Sequence, residues 1–316
     1  MTGEATVVKN AGSHYMLSML PDWNPFPAVL KGRIRLKSND STNPVAVGDH
    51  VLFETGAETP GEVTLENPAL ITEILDRKNF VVRKSTNLSR QSHVIAANID
   101  MAFAVVSLYF PEIKLPFLDR MLVTCEVYGV PVTIVMNKVD LYRNEAPEAV
   151  QNFIDIYTGA GYRVVQASAK TGEGIEELRG ICDGNVCLFS GESGVGKSSL
   201  IKALDPSLDP KIGKISVAHL QGKHTTSLYE MYRLTSGGAV IDTPGLRGFG
   251  LVNLEKEEIA RYFPEMLKAA ENCRFTPCTH THEPGCAVKE AVDNGEISPE
   301  RYSSYLGMIE EDKKFR

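Results

Sequence analysis

The pattern of apolar and polar positions divides the chain into three regions. Residues 1–90 contain short alternating runs broken by Gly, Pro and Asn, such as KGRIRLK, PVAVGDHVLF and ALITEIL. Alternation with a period of two is typical of half-buried strands, and short strands at this spacing predict a small all-β domain. The pattern leaves open whether that domain is a barrel or a sandwich.

The second region, residues 91–250, alternates apolar strands with helical stretches. Runs such as MAFAVV, VPVTIVM and GAVID are separated by segments such as FLDRMLVTCEVYG. Strands rich in Val and Ile between helices predict a parallel sheet that is covered on both faces. Residues 251–316 hold helical segments around a group of Cys and His, so we predict a multidomain α/β protein that ends in a helical domain.

A glycine-rich loop, GESGVGKS, follows the predicted strand NVCLFS. It fits G-x-x-x-x-G-K-[ST], in which backbone N–H groups surround phosphates and the lysine reaches the β and γ oxygens. A chance glycine-rich turn is the alternative, but the strand–loop–helix context argues against it. Lys197 takes a catalytic role in this assignment and Ser198 binds Mg²⁺. The residues assigned to the nucleotide are Gly191, Glu192, Ser193, Gly194, Val195, Gly196, Lys197, Ser198 and Ser199.

Two later segments would complete a phosphate site. DTPG ends the predicted strand GAVI, where Asp242 would hold Mg²⁺ through water and the Gly245 amide would meet the γ-phosphate. GKHTTS lies between the loop and DTPG, and either Thr225 or Thr226 would complete the Mg²⁺ shell. An exposed polar loop is the alternative for this segment.

The group that would orient the attacking water is not obvious. Many GTPases place a Gln directly after the D-x-x-G sequence for this purpose. Leu246 occupies that position here, and a leucine cannot hydrogen-bond a water. His224 is the nearest candidate. The alternative, to which we give equal weight, is that His224 only packs or is solvated and has no catalytic role.

The motifs that read the base come before the phosphate loop. NKVD follows the apolar run VPVTIVM, and its Asp accepts hydrogen bonds from guanine groups that adenine presents differently. SAK follows the strand YRVVQ and would close over the base. The base-binding residues are Asn137, Lys138, Val139, Asp140, Ser168, Ala169 and Lys170.

Along the chain the two base-binding motifs come first, then the phosphate loop, and then GKHTTS and DTPG, which would act as the first and second switch segments. This order predicts a circularly permuted GTP-binding domain. The termini of a compact domain often lie close together, so such a rearrangement is tolerated. In this order the second switch leads directly into the C-terminal region, where its movement would act on that domain.

Three of the six cysteines cluster near the C-terminus beside two histidines. Cys273, Cys278 and Cys286, with either His280 or His282, offer three thiolates and one imidazole. A cytosolic chain rarely carries structural disulfides, so this set predicts one closed structural Zn²⁺ site. Chance clustering of buried thiols is the alternative.

Composition and charge limit the expected cellular location and the expected binding partners. No apolar run approaches the ~18 residues of a membrane helix, and MTGEATVVKN lacks a signal-peptide pattern. We therefore expect a cytoplasmic protein without a membrane partner, and a monomer. The net charge of −7 argues mildly against nucleic-acid binding. KGRIRLK nevertheless places basic residues at alternate positions, which predicts either an RNA-binding face or a solvated one.

Taken together, these motifs resemble the RsgA family of circularly permuted GTPases, which depend on the small ribosomal subunit. The resemblance rests on AANID, NKVD, SAKTGEG, GESGVGKSSL, GKHTT, DTPGLRGFG and CRFTPCTHTHEPGCAV. It implies an RNA-binding OB-fold over 1–90, a permuted GTPase domain over 91–250 and a zinc-binding helical domain over 251–316. It also implies His280 as the fourth zinc ligand and His224 as a catalytic residue.

The function implied by the resemblance is GTP hydrolysis in late maturation of the small ribosomal subunit. The implied partners are that subunit, its rRNA, and GTP or GDP, and the subunit would stimulate hydrolysis. Leu246 motivates a second hypothesis from a different class, a GTP-sensing binding module with little intrinsic hydrolysis. Multiple-turnover kinetics separate the two, because a module would turn over slowly even with its partner.

Overall fold

The N-terminal strands close into a small barrel. The computed structural model describes residues 1–11, 14–32, 44–84, 92–208, 229–242, 254–255 and 257–314. The barrel strands pair in the order β1-β2-β3-β5-β4, and β1 also pairs with β4, so the sheet closes on itself. Closure removes the exposed strand edges. The barrel strands are β1 (Thr2–Asn10), β2 (Tyr15–Ser18), β3 (Phe26–Leu30), β4 (His50–Glu54) and β5 (Ala69–Ile74).

Alternation along the strands supplies the barrel core. In β4 the side chains of Val51 and Phe53 are buried, while the residues on either side of them are partly exposed. Phe53 packs on Phe26 with ring centroids 5.1 Å apart, and Leu17 and Ile71 complete the fully buried centre. A closed five-stranded barrel of this order is an OB-fold, so the choice between barrel and sandwich is resolved in favour of the barrel.

A two-stranded hairpin connects the barrel to the rest of the chain and spans the boundary predicted at residue 90. Its strands are β6 (Phe80–Lys84) and β7 (Ser92–Ala97). The predicted basic strand KGRIRLK falls mostly outside the described residues. Lys31 is described, and its ammonium lies 2.8 Å from the Glu54 carboxylate.

The central region forms a sheet in the order β10-β9-β8-β11-β13-β12. Every pairing in this part of the sheet is parallel except that of β12 with β13. Strands of this sheet alternate with helices along the chain. The strands are β8 (Met101–Val106), β9 (Val132–Met136), β10 (Arg163–Gln166), β11 (Val186–Ser190), β12 (Tyr229–Arg233) and β13 (Ala239–Asp242). The helices are α1 (Leu115–Val127), α2 (Pro147–Gly159), α3 (Ile175–Cys182) and α4 (Lys197–Leu204).

Helices cover both faces of this sheet, as the continuous apolar strands predict. Ala104 of β8 lies in one core with residues of α1 and α2, such as Leu122 and Phe153. Its neighbour Phe103 lies in a second core with Leu178 of α3 and residues of α4. Burial on both faces explains why the strand MAFAVV is apolar at successive positions.

The barrel and the parallel sheet are joined edge to edge. The end of β1 pairs antiparallel with β12, with Lys9 opposite Glu230 and Asn10 opposite Tyr229. The Lys9 ammonium lies 2.9 Å from the Glu230 carboxylate across this junction. The strand that follows the segment GKHTTS is therefore hydrogen-bonded to the barrel.

The C-terminal helices pack on α1 through a separate apolar core that includes Val123, Phe263 and Tyr305. A buried ion network also joins them. The Arg301 guanidinium, 1% exposed, lies 2.8 Å from Asp119 of α1 and 2.7 Å from Glu265. These helices are α5 (Pro264–Ala270), α6 (Ala287–Asp293) and α7 (Pro299–Lys314). Across the part of the chain that the structure describes, we find no helix with the length and apolar character to cross a membrane.

Candidate nucleotide site and metal centre

The predicted nucleotide-binding segments meet at one edge of the parallel sheet. NKVD follows β9, SAK follows β10, the phosphate loop follows β11, and Asp242 ends β13. The carboxyl ends of parallel strands share one edge, which is where ligands bind in open α/β sheets. His224, Thr225, Thr226 and Gly245 lie outside the described residues.

The phosphate loop depends on glycine at two contacts, one with a neighbouring strand and one with the NKVD turn. Gly191 (φ 155°) passes so close to β8 that a Cβ there would lie 2.2 Å from the Val105 carbonyl oxygen. Gly196 (φ 98°) ends the loop, and a Cβ there would lie 2.4 Å from Asn137 Nδ2. Only glycine fits both the space and the backbone conformation. α4 then begins at Lys197, so the helix N-terminus lies at the end of the loop, where an anion is stabilised.

The side chain of Lys197 folds back onto its own loop. Its Nζ donates to the carbonyl oxygens of Gly191 and Glu192, both at 2.9 Å, and the residue is 7% exposed. Burial lowers the pKa of Lys197, and the nearby carboxylates of Asp242 and Glu192 oppose this shift. The ammonium therefore sits in a poorly solvated place where an anion would stabilise it.

Asp242 presents a carboxylate oxygen that has no partner within the described chain. Burial raises the pKa of Asp242, while Lys197 and a hydrogen bond from Ser198 oppose the rise. Its Oδ1 is buried and accepts no hydrogen bond from any described residue. A buried carboxylate oxygen next to a hydroxyl is suited to hold a hydrated divalent cation such as Mg²⁺.

Asn137, in the NKVD turn, contacts both the phosphate loop and the SAK segment. Its Nδ2 donates to the Val195 carbonyl oxygen at 2.8 Å, and its Oδ1 accepts from the Ala169 N–H at 3.3 Å. Lys138 adds a second link, because its Nζ donates to the carbonyl oxygens of Gly194 at 2.7 Å and Phe110 at 2.5 Å. The three segments therefore form one connected site in the described chain.

Asp140 is held in position by the SAK segment. The Ser168 hydroxyl donates to Asp140 Oδ1 at 2.7 Å, and Lys170 Nζ lies 4.0 Å from Oδ2. Val139 has a different role, since its side chain is buried in the core and its N–H donates to the Ala167 carbonyl oxygen at 3.2 Å. The Asp140 carboxylate is thus held by two side chains of the SAK segment.

Two further contacts at this site were not predicted from the sequence. The Tyr142 hydroxyl donates to the Asn137 carbonyl oxygen, and the Phe110 carbonyl accepts from Lys138. The first had one weak signal, an aromatic residue with a hydroxyl group two positions after the NKVD motif. The second had none, because a backbone carbonyl carries no sequence signature.

The C-terminal Cys and His residues form a compact ligand set. One ligand atom from each of Cys273, Cys278, His280 and Cys286 lies within 4.8 Å of all the others. His280 Nδ1 is 3.3 Å from Cys286 Sγ and 3.6 Å from Cys273 Sγ. The ligand atoms of a tetrahedral zinc site are about 3.5–3.8 Å apart, given Zn–S and Zn–N bonds of about 2.3 and 2.0 Å. The four residues therefore fit a tetrahedral metal ion.

The backbone around this cluster is fixed by side-chain hydrogen bonds. The hydroxyl groups of Tyr302 and Tyr305 donate to the carbonyl oxygens of His280 and Thr279, both at 2.6 Å. Glu283 accepts from the hydroxyl group of Thr279 and from the N–H groups of Thr279 and Thr281. Burial raises the pKa of Glu283, but these hydrogen bonds, that of the Thr279 hydroxyl foremost, lower it to about 2. His282, the rival ligand, instead lies with its Nδ1 2.9 Å from Thr281 Oγ1.

The fold and the site together define a circularly permuted P-loop GTPase. The glycine-rich phosphate-loop motif, the NKVD motif and the covered parallel sheet are those of a GTPase, and the glycine-rich loop comes after NKVD along the chain. The chain belongs to the RsgA GTPase family, whose model matches residues 74–252. It is therefore an enzyme that hydrolyses GTP, as the sequence predicted.

Two sequence relatives and two solved structures support this assignment. The Small ribosomal subunit biogenesis GTPase RsgA of Bacteroides fragilis is 46% identical, over 98% of each chain. The protein of that name from Flavobacterium psychrophilum is also 46% identical, over 99% of this chain and 93% of its own. YjeQ from Thermotoga maritima matches with a TM-score of 0.77 and 32% identity, over 98% of both chains. YloQ, described as a circularly permuted GTPase, matches with a TM-score of 0.72 and 27% identity, over 100% of this chain and 96% of its own.

Proposed function

We propose that this GTPase binds the small ribosomal subunit, assists its late maturation, and is stimulated by it. The observation that carries the proposal is the full-length similarity to a GTPase named for biogenesis of that subunit. An OB-fold barrel is a common nucleic-acid-binding fold, so the barrel is the expected contact for rRNA. The expected setting is the cytoplasm and the expected form is a monomer.

Guanine would be read by Asp140, with Ser168, Ala169 and Lys170 closing over the base. The Asp140 carboxylate accepts hydrogen bonds from two guanine N–H groups, and Ser168 already fixes its orientation. An Asn side chain at this position would offer one acceptor and one donor, which complements xanthine instead. We therefore expect Asp140→Asn to weaken GTP binding and to strengthen XTP binding. An unchanged ratio of GTP to XTP affinity would contradict this assignment.

Phosphate binding would draw Lys197 away from its loop carbonyls. The ammonium would exchange the carbonyl oxygens of Gly191 and Glu192 for β and γ phosphate oxygens and remain buried beside negative charge. Ser198 and Asp242, with Thr225 or Thr226, would hold Mg²⁺, which neutralises charge on the phosphates when bound. Gly245 would contribute its amide to the γ-phosphate.

Hydrolysis would use His224 to orient the attacking water, because Leu246 offers no hydrogen bond at the position where many GTPases have Gln. The stimulating subunit would place this histidine. His224→Ala should therefore lower the stimulated kcat strongly and leave the Kd for GTP nearly unchanged. A variant with normal stimulated turnover would remove His224 from the mechanism.

The C-terminal cluster would hold one structural Zn²⁺ through Cys273, Cys278, His280 and Cys286. Four protein ligands leave no open position for a substrate, so the ion would stabilise the domain and would not take part in catalysis. The hydrogen bonds from Tyr302 and Tyr305 keep the His280 segment in place for this purpose.

Co-sedimentation with purified ribosomal subunits tests the partner. We expect the protein to pellet with small subunits in the presence of a non-hydrolysable GTP analogue, less with GDP, and not with large subunits. Lys197→Ala is the matched variant, because it should not respond to the analogue. Equal pelleting with both subunits, or none with either, would contradict the proposal.

A further inference from the structure

Tyr142 is buried directly behind the guanine-reading turn. It follows the short 3-10 helix Val139–Leu141 and is 2% exposed. Its hydroxyl donates to the Asn137 carbonyl oxygen at 2.6 Å. Burial raises the pKa of Tyr142 to about 12, so the hydroxyl keeps its proton and remains a donor at neutral pH.

The peptide group that accepts this hydrogen bond lies between two residues whose side chains contact the phosphate loop. It joins Asn137 to Lys138, and Lys138 has a φ of 65°, in the left-handed region that side-chain-bearing residues disfavour. Asn137 reaches the phosphate loop on one side of this peptide, and Lys138 reaches the same loop on the other. Rotation of this peptide would therefore displace both contacts together.

The ring of Tyr142 reaches a fourth loop at the same edge of the sheet. It packs edge-on against Tyr109, with ring centroids 5.8 Å apart. The next residue, Phe110, provides the carbonyl oxygen that accepts from Lys138 Nζ. Tyr142 thus contacts the NKVD turn through its hydroxyl and the loop that supports Lys138 through its ring.

We propose that Tyr142 is a positioning residue for guanine binding, which holds the Asn137–Lys138 peptide in the conformation that presents Asp140 and Lys138 to the base. This inference rests on the proposed reading of guanine by NKVD. Without the hydroxyl, the Asn137 carbonyl oxygen loses a buried donor, and the peptide relaxes from the strained turn towards other partners. GTP binding must then restore the turn.

The test is Tyr142→Phe in the full-length protein, which removes one oxygen atom and keeps the ring. We expect the Kd for GTP to rise about tenfold, as for loss of one buried hydrogen bond, with kcat at saturating GTP within about twofold of wild type. ITP lacks the exocyclic amine that Asp140 would accept from. Its Kd should therefore rise less, and the preference for GTP over ITP should fall.

Two controls separate this result from general destabilisation and from failure of the proposed function. Tyr157→Phe removes another buried hydroxyl, which donates to Asp119 at 2.9 Å beneath the C-terminal helices, and should lower Tm without changing the Kd for GTP. Asp140→Asn tests guanine reading itself. If Asp140→Asn changes base preference but Tyr142→Phe leaves the Kd for GTP within about twofold, or weakens GTP and ITP equally, the role of Tyr142 is refuted.

Discussion

Replacement of Gly196 by alanine should break the contact between the phosphate loop and the NKVD turn. An added Cβ would lie 2.4 Å from Asn137 Nδ2, about 1 Å inside normal contact distance. The Asn137 side chain would have to move, and its 2.8 Å hydrogen bond to the Val195 carbonyl oxygen would be lost. The substitution therefore acts on both halves of the nucleotide site.

The magnitude follows from two contributions. A buried polar pair left without its hydrogen bond costs about 1–3 kcal/mol. Alanine at the φ of 98° that Gly196 adopts costs a further ~1–2 kcal/mol. The sum is about 2–5 kcal/mol, which corresponds to a loss in GTP affinity of about 30-fold or more if most of it opposes formation of the binding-competent loop.

Gly194→Ala is the matched control for this experiment. Gly194 also has a positive φ, 85°, but a Cβ there would meet only Pro111, at an ordinary 3.8 Å. It shares the backbone cost and lacks the collision with Asn137. Titration of a fluorescent GTP analogue should show Gly196→Ala binding at least about fivefold more weakly than Gly194→Ala, because the two differ by the ~1–3 kcal/mol of the lost hydrogen bond. Thermal unfolding is measured alongside. Equal affinities of the two variants would refute the reasoning.

Three further predictions concern Lys197, the Cys and His cluster, and the buried ion network of Arg301. Lys197→Ala should abolish hydrolysis, because the ammonium that would bind the β and γ oxygens is removed; normal turnover would exclude the phosphate-loop assignment. Cys278→Ser should lower zinc from about one ion per chain in elemental analysis and lower Tm, and full zinc retention would exclude Cys278 as a ligand. Arg301→Met leaves Asp119 and Glu265 as buried unpaired carboxylates and should lower the free energy of unfolding by about 3–5 kcal/mol in denaturant titration. A loss below about 1 kcal/mol would show that the network contributes little.

The phosphate loop and the NKVD turn were predictable because each is a local pattern with fixed spacing after an apolar strand. The contact that joins them was not. Asn137 and Val195 are 58 positions apart, and the hydrogen bond between them depends on β8 lying between β9 and β11. Nothing in either motif alone states that order of strands.

The Cys and His cluster shows that local sequence also fails to settle a choice between residues that are close along the chain. His280 and His282 are two positions apart, so spacing alone could not choose between them. The structure turns the backbone at His280 with a φ of 53° and places its imidazole among the thiols, whereas His282 meets Thr281. That choice depends on Tyr302 and Tyr305, whose helix is brought to the cluster by tertiary packing.

The closure of the N-terminal barrel was also not predictable from local sequence. Alternating strands occur in barrels and in sandwiches, and closure depends on β1 pairing with β4, about fifty residues apart. The junction of Lys9 with Glu230 depends on an even longer separation. Local alternation predicts that strands form, but long-range pairing decides which sheet they build.

Multiple-turnover GTP hydrolysis, with and without purified small ribosomal subunits, tests the central claim most directly. We expect strong stimulation by small subunits and none by large subunits, and loss of that stimulation in Lys197→Ala. Tight GTP binding with no stimulation by small subunits would contradict the account and favour a nucleotide-sensing binding module.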